Sequence, residues 1–157
     1  MKKLQEHGEY VAGCSRQTIM FAARGPWNDE TLVRGSQEMG QNINQLNMSK
    51  PWGFISCLFG ESLMTPSAYK LFLKHTVIRK SKGMRCLAVI IEDSDIANTI
   101  MSQLTLAYQY AGVDFAFLTD IGSAITWIEH HEIELDEQQV TDFFRDNRFV
   151  QLPLVDL

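Results

Sequence analysis

Met84-Arg85-Cys86-Leu87-Ala88-Val89-Ile90-Ile91-Glu92-Asp93-Ser94-Asp95 is the stretch whose reading decides the fold. Cys86 to Ile91 is an unbroken apolar run without period-two alternation. That is the pattern of a strand covered on both faces, as in the middle of a parallel sheet. Gly83 interrupts the chain before it, and Glu92 to Asp95 offer acceptors for the N-terminus of a following helix. Helical periodicity lies on each side, so the local unit is helix, buried strand, helix.

The composition around this unit narrows the class. A chain of 157 residues forms one domain with a proper core. Its apolar share of 45% and charged share of 21% are those of an ordinary globular protein. A net charge of −5 argues against general affinity for nucleic acid or for anionic membranes. Met1-Lys2-Lys3 is followed by Gln5-Glu6-His7-Gly8 and not by the apolar stretch of a signal peptide. No apolar run approaches the roughly 18 residues that span a bilayer, so stable membrane insertion is not expected. Cys14, Cys57 and Cys86 are odd in number, far apart and set in strand-like segments. They read as buried reduced thiols, which implies a cytoplasmic location.

Two short strands open the chain, Glu9 to Ser15 and Thr18 to Arg24, joined as a hairpin through Arg16-Gln17. After Gly25-Pro26, Asn28 caps a helix with Asp29 and Glu30 in its first turn and Leu32, Met39, Ile43 and Leu46 on one face. Trp52 to Phe59 is the next buried strand. Thr65-Pro66, a hydroxyl cap before a first-turn proline, starts a helix whose apolar face is Ala68, Leu71, Phe72, His75 and Ile78. The Met84 strand follows as the central one. Ser94 or Asp95 then caps a helix carrying Ile96, Ile100, Leu104, Ala107, Tyr108 and Ala111, which Gly112 ends. Val113 to Leu118 is a strand, and Asp120 caps a short helix with Ala124, Ile125, Trp127 and Ile128.

The order β-β-α-β-α-β-α-β-α predicts an α/β layered domain: a mixed, mostly parallel sheet of about five strands, with helices on both faces. This unit spans residues 1–131. Residues 132–157 add a helix over Asp136 to Arg148 and an apolar tail, packed on the same domain or on a partner subunit.

In such a fold, sites form beyond the carboxyl ends of the strands, which groups Gly60 to Ser67, Glu92 to Asp95 and Thr119 to Gly122 on one rim. No catalytic signature stands there. Neither glycine-rich phosphate motif occurs, and Gly60-Glu61-Ser62 lacks the second glycine of a nucleophile elbow because position 64 is methionine. Glu92, Asp93 and Asp95 lack the strand-end lysine that phosphoacceptor chemistry needs. His130 and His131 are adjacent, point about 100° apart on a helix and do not share one metal ion. No cofactor, metal or catalytic residue is expected.

Ala23-Arg24-Gly25-Pro26-Trp27-Asn28, Lys50-Pro51-Trp52-Gly53, Met64-Thr65-Pro66-Ser67-Ala68 and Ser123-Ala124-Ile125-Thr126-Trp127-Ile128 carry a resemblance. With the element order, they make the chain resemble the STAS domain (sulfate transporter and anti-sigma factor antagonist), and more closely the small bacterial SpoIIAA-like proteins. The resemblance covers Glu9 to His131. It implies a non-enzymatic regulatory domain that binds a protein partner. In phospho-regulated members a serine or threonine opening the helix after the third strand is modified and switches binding. The matching positions here are Met64, Thr65, Pro66 and Ser67. The hydroxyls are present, while methionine replaces the family's aspartate and the glycine is absent.

Three surfaces follow as expectations. The rim residues Ser62, Met64, Thr65 and Ser67 would contact a partner or ligand. From Ser62 to Ile91 there are six basic residues and no acidic one, so Lys70, Lys74 and Arg79 would form a basic docking face. Phe143, Phe144 and Phe149 belong to an apolar C-terminal segment that would pack across a homodimer axis, its acidic approach complementing the basic helix. The alternative is a small-molecule or lipid carrier or sensor, with Trp52, Phe59, Leu63 and Met64 lining an apolar pocket.

Overall fold

The computed structural model describes residues 9–149. Its elements run β1 (Glu9–Ser15), β2 (Thr18–Arg24), α1 (Asp29–Ile43), β3 (Trp52–Phe59), α2 (Pro66–Ser81), β4 (Met84–Glu92), α3 (Ala97–Ala111), β5 (Asp114–Leu118), α4 (Ile121–His130) and α5 (Glu137–Asp146). The chain is thus α/β, with one five-stranded mixed sheet in the order β1-β2-β3-β4-β5. β1 is antiparallel to β2, and β2 to β5 are mutually parallel.

Because each parallel strand lies next to its predecessor, crossovers of one hand put α1, α2 and α3 on the same face. There they cover Ile19, Phe21, Phe54, Leu58, Leu87 and Val89. The alternate residues of the same strands, among them Met20, Ile55, Cys57, Ala88 and Ile90, face the other way and pack against α4 and α5. Both faces are therefore covered, but by helices from different parts of the chain.

Local chemistry explains the helix starts. Asn28 Oδ1 accepts from Thr31 N at 2.9 Å, Thr65 Oγ1 from Ala68 N at 3.2 Å, and Asp120 Oδ1 from Ser123 N at 2.7 Å. Each satisfies a backbone donor that the first helical turn leaves unpaired. α5 starts the same way, Asp136 Oδ1 accepting from Gln139 N at 2.9 Å. The chain before it is sewn to the β1–β2 turn: Gln17 N and Thr18 Oγ1 both donate to Glu134 O, and Asp136 N donates to Ser15 Oγ. These bonds hold α5 against β1 and β2 of its own sheet.

Four expectations are corrected. β4 is interior but not central. The middle strand is β3, all eight of whose residues are buried. α3 starts at Ala97 without a side-chain cap, because Ser94 Oγ instead closes a local turn by accepting from Ile96 N at 3.2 Å. α2 docks through Ala68, Thr76 and Arg79, while Val77 and Ile78 are exposed. Apolar residues are spread around this helix, so its periodicity does not single out a face, and packing between α1 and α3 chooses one. Finally, Phe144 is buried under the sheet of its own chain, with Phe143 and Phe149 half-buried beside it. The C-terminal helix is thus part of the subunit's own core. It also lies across the sheet from α2, so it does not meet the basic helix within the chain. The apolar tail beyond Phe149 lies outside the described residues.

Candidate ligand cavity

The face covered by α1, α2 and α3 does not close completely. Between it and the sheet lies a cavity with about 60 Å³ open to the centre of a water-sized molecule. Aromatic and aliphatic side chains make most of its wall, including Phe21 from β2, Phe54 from β3 and Phe72 from α2. Gly35 of α1 and Ser56 of β3 also line it, and neither has the bulk to fill the space between helix and sheet. A Cβ built at Gly35 would find its nearest neighbour, the Phe21 ring, no closer than 3.7 Å.

One end of the cavity is bounded by the loops at the carboxyl ends of β2 and β3. Trp27 N donates to Leu63 O at 2.8 Å and Thr65 N to Trp27 O at 3.2 Å, forming a one-residue bridge between Trp27 and Met64. Gln103 of α3 clamps Met64 from the other side, its side-chain amide meeting both Met64 N and Met64 O. Ser62 closes the knot: its hydroxyl accepts from Gly25 N at 3.2 Å and donates to Phe59 O at 3.1 Å. The approach requires glycine, since a Cβ at Gly25 would sit 2.6 Å from Ser62 Cα.

A cation is set into this apolar wall. Arg79 is 9% exposed and lines the cavity. Its Nη2 donates to Ser36 Oγ at 3.1 Å, and its guanidinium lies 6.0 Å from the centre of the Phe54 ring. Burial lowers its pKa to about 10, which leaves it charged at neutral pH. Among the described residues no carboxylate pairs with it. Ser36 Oγ is also 2.7 Å from His75 Nδ1. Burial, together with the charges of Arg79 and Lys74, pushes the His75 pKa down. Ser36 Oγ thus links Arg79 to His75, the direction of its bond to Nδ1 following the imidazole tautomer.

Four hydroxyl residues line the cavity with Arg79: Ser62 and Thr76 donate to the backbone carbonyls of Phe59 and Phe72, which leaves Tyr108 and Ser56. Tyr108, on α3, is 4% exposed, and burial raises its pKa. Ser56 is 6% exposed. Neither hydroxyl has a hydrogen-bond partner among the described residues. Both residues line the cavity.

The structure redistributes the residues singled out by the sequence. Ser62 is buried and doubly hydrogen-bonded, so it is removed from the exposed rim. Met64 is half-buried and lines the cavity, Thr65 is the exposed cap of α2, and exposed Ser67 donates to Asp29 Oδ1 at 2.7 Å. Lys70 and Lys74 are exposed, whereas Arg79 faces inward and does not belong to the basic docking face. Of the four expected pocket residues only Met64 lines the cavity. Phe59 points to the opposite face, and Trp52 is buried at the far end of β3, its Nε1 donating to Lys82 O at 3.0 Å. Gly35, Ser36, Ser56 and Tyr108 were not anticipated as site residues. They come from three elements, and no local spacing connects them.

The acidic rim on the α5 side is engaged by arginines. Arg148 binds both Glu92 carboxylate oxygens, at 3.1 and 3.2 Å, and lies over the Phe59 ring. Arg24 pairs with Asp93 at 3.1 Å and donates to Phe149 O. Burial and the nearby Glu92 raise the Cys57 pKa, and burial takes Cys86 to about 12. Both thiols are thus kept protonated. Among the described residues no group of three or more His, Cys, Asp or Glu is placed to hold a metal ion, and no helix is long and apolar enough to cross a membrane. Comparison of the chain with protein families, with curated proteins and with solved structures finds no match.

Proposed function

We propose that this chain is a non-enzymatic STAS-like domain, of the SpoIIAA-like kind, that holds a small, mainly apolar molecule between its sheet and α1, α2 and α3. The observation that carries the reading is the apolar cavity walled by Phe21, Phe54 and Phe72. A space of about 60 Å³ is several times the ~10–15 Å³ that one water needs. It is less than half of the ~150 Å³ of a cavity that admits benzene, so the cavity as it stands holds a few heavy atoms and takes a whole ring only if its walls move apart. Support for the STAS-like part is the element order and the contact between two of the resembling stretches, which meet at the Trp27–Met64 bridge.

Partner docking is the natural readout of such a domain. Thr65, Ser67, Lys70 and Lys74 are exposed around the start of α2, and Met64 connects that surface to the cavity wall. A ligand that displaces Met64 would alter the α2 N-terminus and hence the surface offered to a partner.

Titration calorimetry with benzyl alcohol tests the binding claim. The wild type should give a saturable one-to-one isotherm. Gly35→Leu, which places a side chain into the cavity, should abolish it while unfolding cooperatively. A flat isotherm in the wild type with benzyl alcohol and with benzoate alike would overturn the proposal.

A further inference from the structure

The polar groups of the cavity identify the class of molecule it takes. Arg79 brings a full positive charge into an apolar wall, with one hydrogen bond to Ser36 and no carboxylate partner among the described residues. A buried charge without a counter-ion is among the most costly arrangements in a protein interior. Arg79 is not there to join α2 to a neighbouring acid, since none among the described residues pairs with it. Its ring contact with Phe54 offsets only part of the cost. The Tyr108 and Ser56 hydroxyls, also without protein partners among the described residues, line the same space. Arg79 lies close enough to Tyr108 that each shifts the other's titration. Guanidinium and phenol both donate, so together they ask for an acceptor, and the cation asks for a negative one. The rest of the wall asks for an apolar body.

We infer that the cavity binds a small organic monoanion, a carboxylate on an aromatic or short aliphatic body, with its headgroup held by Arg79 and Tyr108 and its body against Phe21, Phe54 and Phe72. This rests on the ligand-binding reading above and goes beyond it by assigning charge, headgroup and orientation. A free inorganic anion would satisfy Arg79 but leave the apolar part of the cavity unfilled. A neutral apolar molecule would fill it but leave Arg79 unpaired. A small carboxylic acid anion does both. Arg79 also ties the headgroup to Ser36 and His75, and through them to the half-buried edge between α1 and α2.

The test compares benzoate, benzyl alcohol and chloride on the full-length protein by titration calorimetry, the first two having nearly the same shape and differing in charge. Benzoate should bind at least about tenfold more tightly than benzyl alcohol, the ratio expected for one charge-assisted hydrogen bond. Arg79→Met should erase or reverse that preference, and Arg79→Lys should keep part of it. Tyr108→Phe removes only a hydroxyl and provides the second variant should Arg79→Met fail to fold. It should weaken benzoate several-fold more than it weakens benzyl alcohol. Equal affinity for benzoate and benzyl alcohol in the wild type would overturn this inference and leave the cavity reading standing. Chloride competing with benzoate at equal affinity would also overturn it, making the site one for inorganic anions. Binding of none of the three would overturn both readings together.

Discussion

The two faces of the sheet are built from alternate residues of the same strands and have opposite characters. Toward α4 and α5 the strands present small and branched residues such as Ala22, Ala88, Ile55 and Ile90, which mesh with Ile128, Val140 and Phe144. A Cβ at Gly53 would meet Ile133, Ile128 and Cys86 at 3.2 to 3.4 Å. Toward α1, α2 and α3 the strands present Phe21, Phe54 and Ser56 among aliphatic residues such as Ile19, Leu58, Leu87 and Val89, and a Cβ at Gly35 of α1 would have no neighbour closer than 3.7 Å. Interiors pack to crystal-like density when stability alone is at stake. A face that keeps a cavity and lines it with a buried cation forgoes dispersion energy and solvation. On the proposed reading, one face serves stability and the other binding.

The sharpest way to break this contrast is to place a charge in the closed face. Ala88 is fully buried in β4 against α4, so Ala88→Asp should cost several kcal/mol. The variant should be insoluble or lack a cooperative urea transition, and a soluble, cooperatively unfolding protein would contradict the packing described. Next in size is Phe144, 3% exposed at the centre of the α5 contact. Phe144→Ala should lower stability by about 3–5 kcal/mol, measured as a shift in the urea midpoint. A change below about 1 kcal/mol would mean that α5 does not cover its own sheet in solution.

The two glycines sharpen the comparison. Gly53→Val has no space to occupy and should destabilise by about 2 kcal/mol. Gly35→Ala meets only ordinary contacts and removes a helix-interior glycine, so it should stabilise by about 0.5–1 kcal/mol. The same sign for both variants in chemical denaturation would remove the distinction between the faces.

The smallest expected effect concerns pH. The His75 pKa is lowered in the folded chain, so the native state favours the neutral ring more than the unfolded state does. The associated stability is complete above the ordinary histidine value of about 6.5 and is lost as pH falls through the lower folded value. Relative to His75→Gln, the wild type should lose urea resistance as the pH falls below about 6.5. Parallel profiles for the two proteins would contradict the placement of His75 beside Arg79.

Much of the framework was legible in the sequence because it depends on local patterns. The continuous apolar run Cys86 to Ile91 marks a strand covered on both sides, and it is one. Asn28, Thr65, Asp120 and Asp136 announce their helices and do cap them. What was not legible depends on which face of an element is used. Val77 and Ile78 have the chemistry of core residues and are exposed, while Thr76 and Arg79 between and beside them are buried. Gly35 reads as a weakness in α1 and is instead part of the cavity wall, a role visible only once Phe21 and Ser56 are seen opposite it. Phe143 and Phe144 announce burial, but nothing in their spacing says against which surface. The hydrogen bonds from Gln17, Thr18 and Asp136 decide that question by fixing the segment before α5 to the β1–β2 turn.

The central claim is that one face of the sheet is closed and the other holds a binding cavity. Xenon enters dry apolar cavities without needing a polar partner, so diffraction from crystals pressurised with xenon tests it most directly. The account predicts one occupied site between the sheet and α1, α2 and α3, against Phe21, Phe54 and Tyr108, with none between the sheet and α4 and α5. Xenon on the α4 and α5 side, or no occupancy beside Phe21, would contradict it.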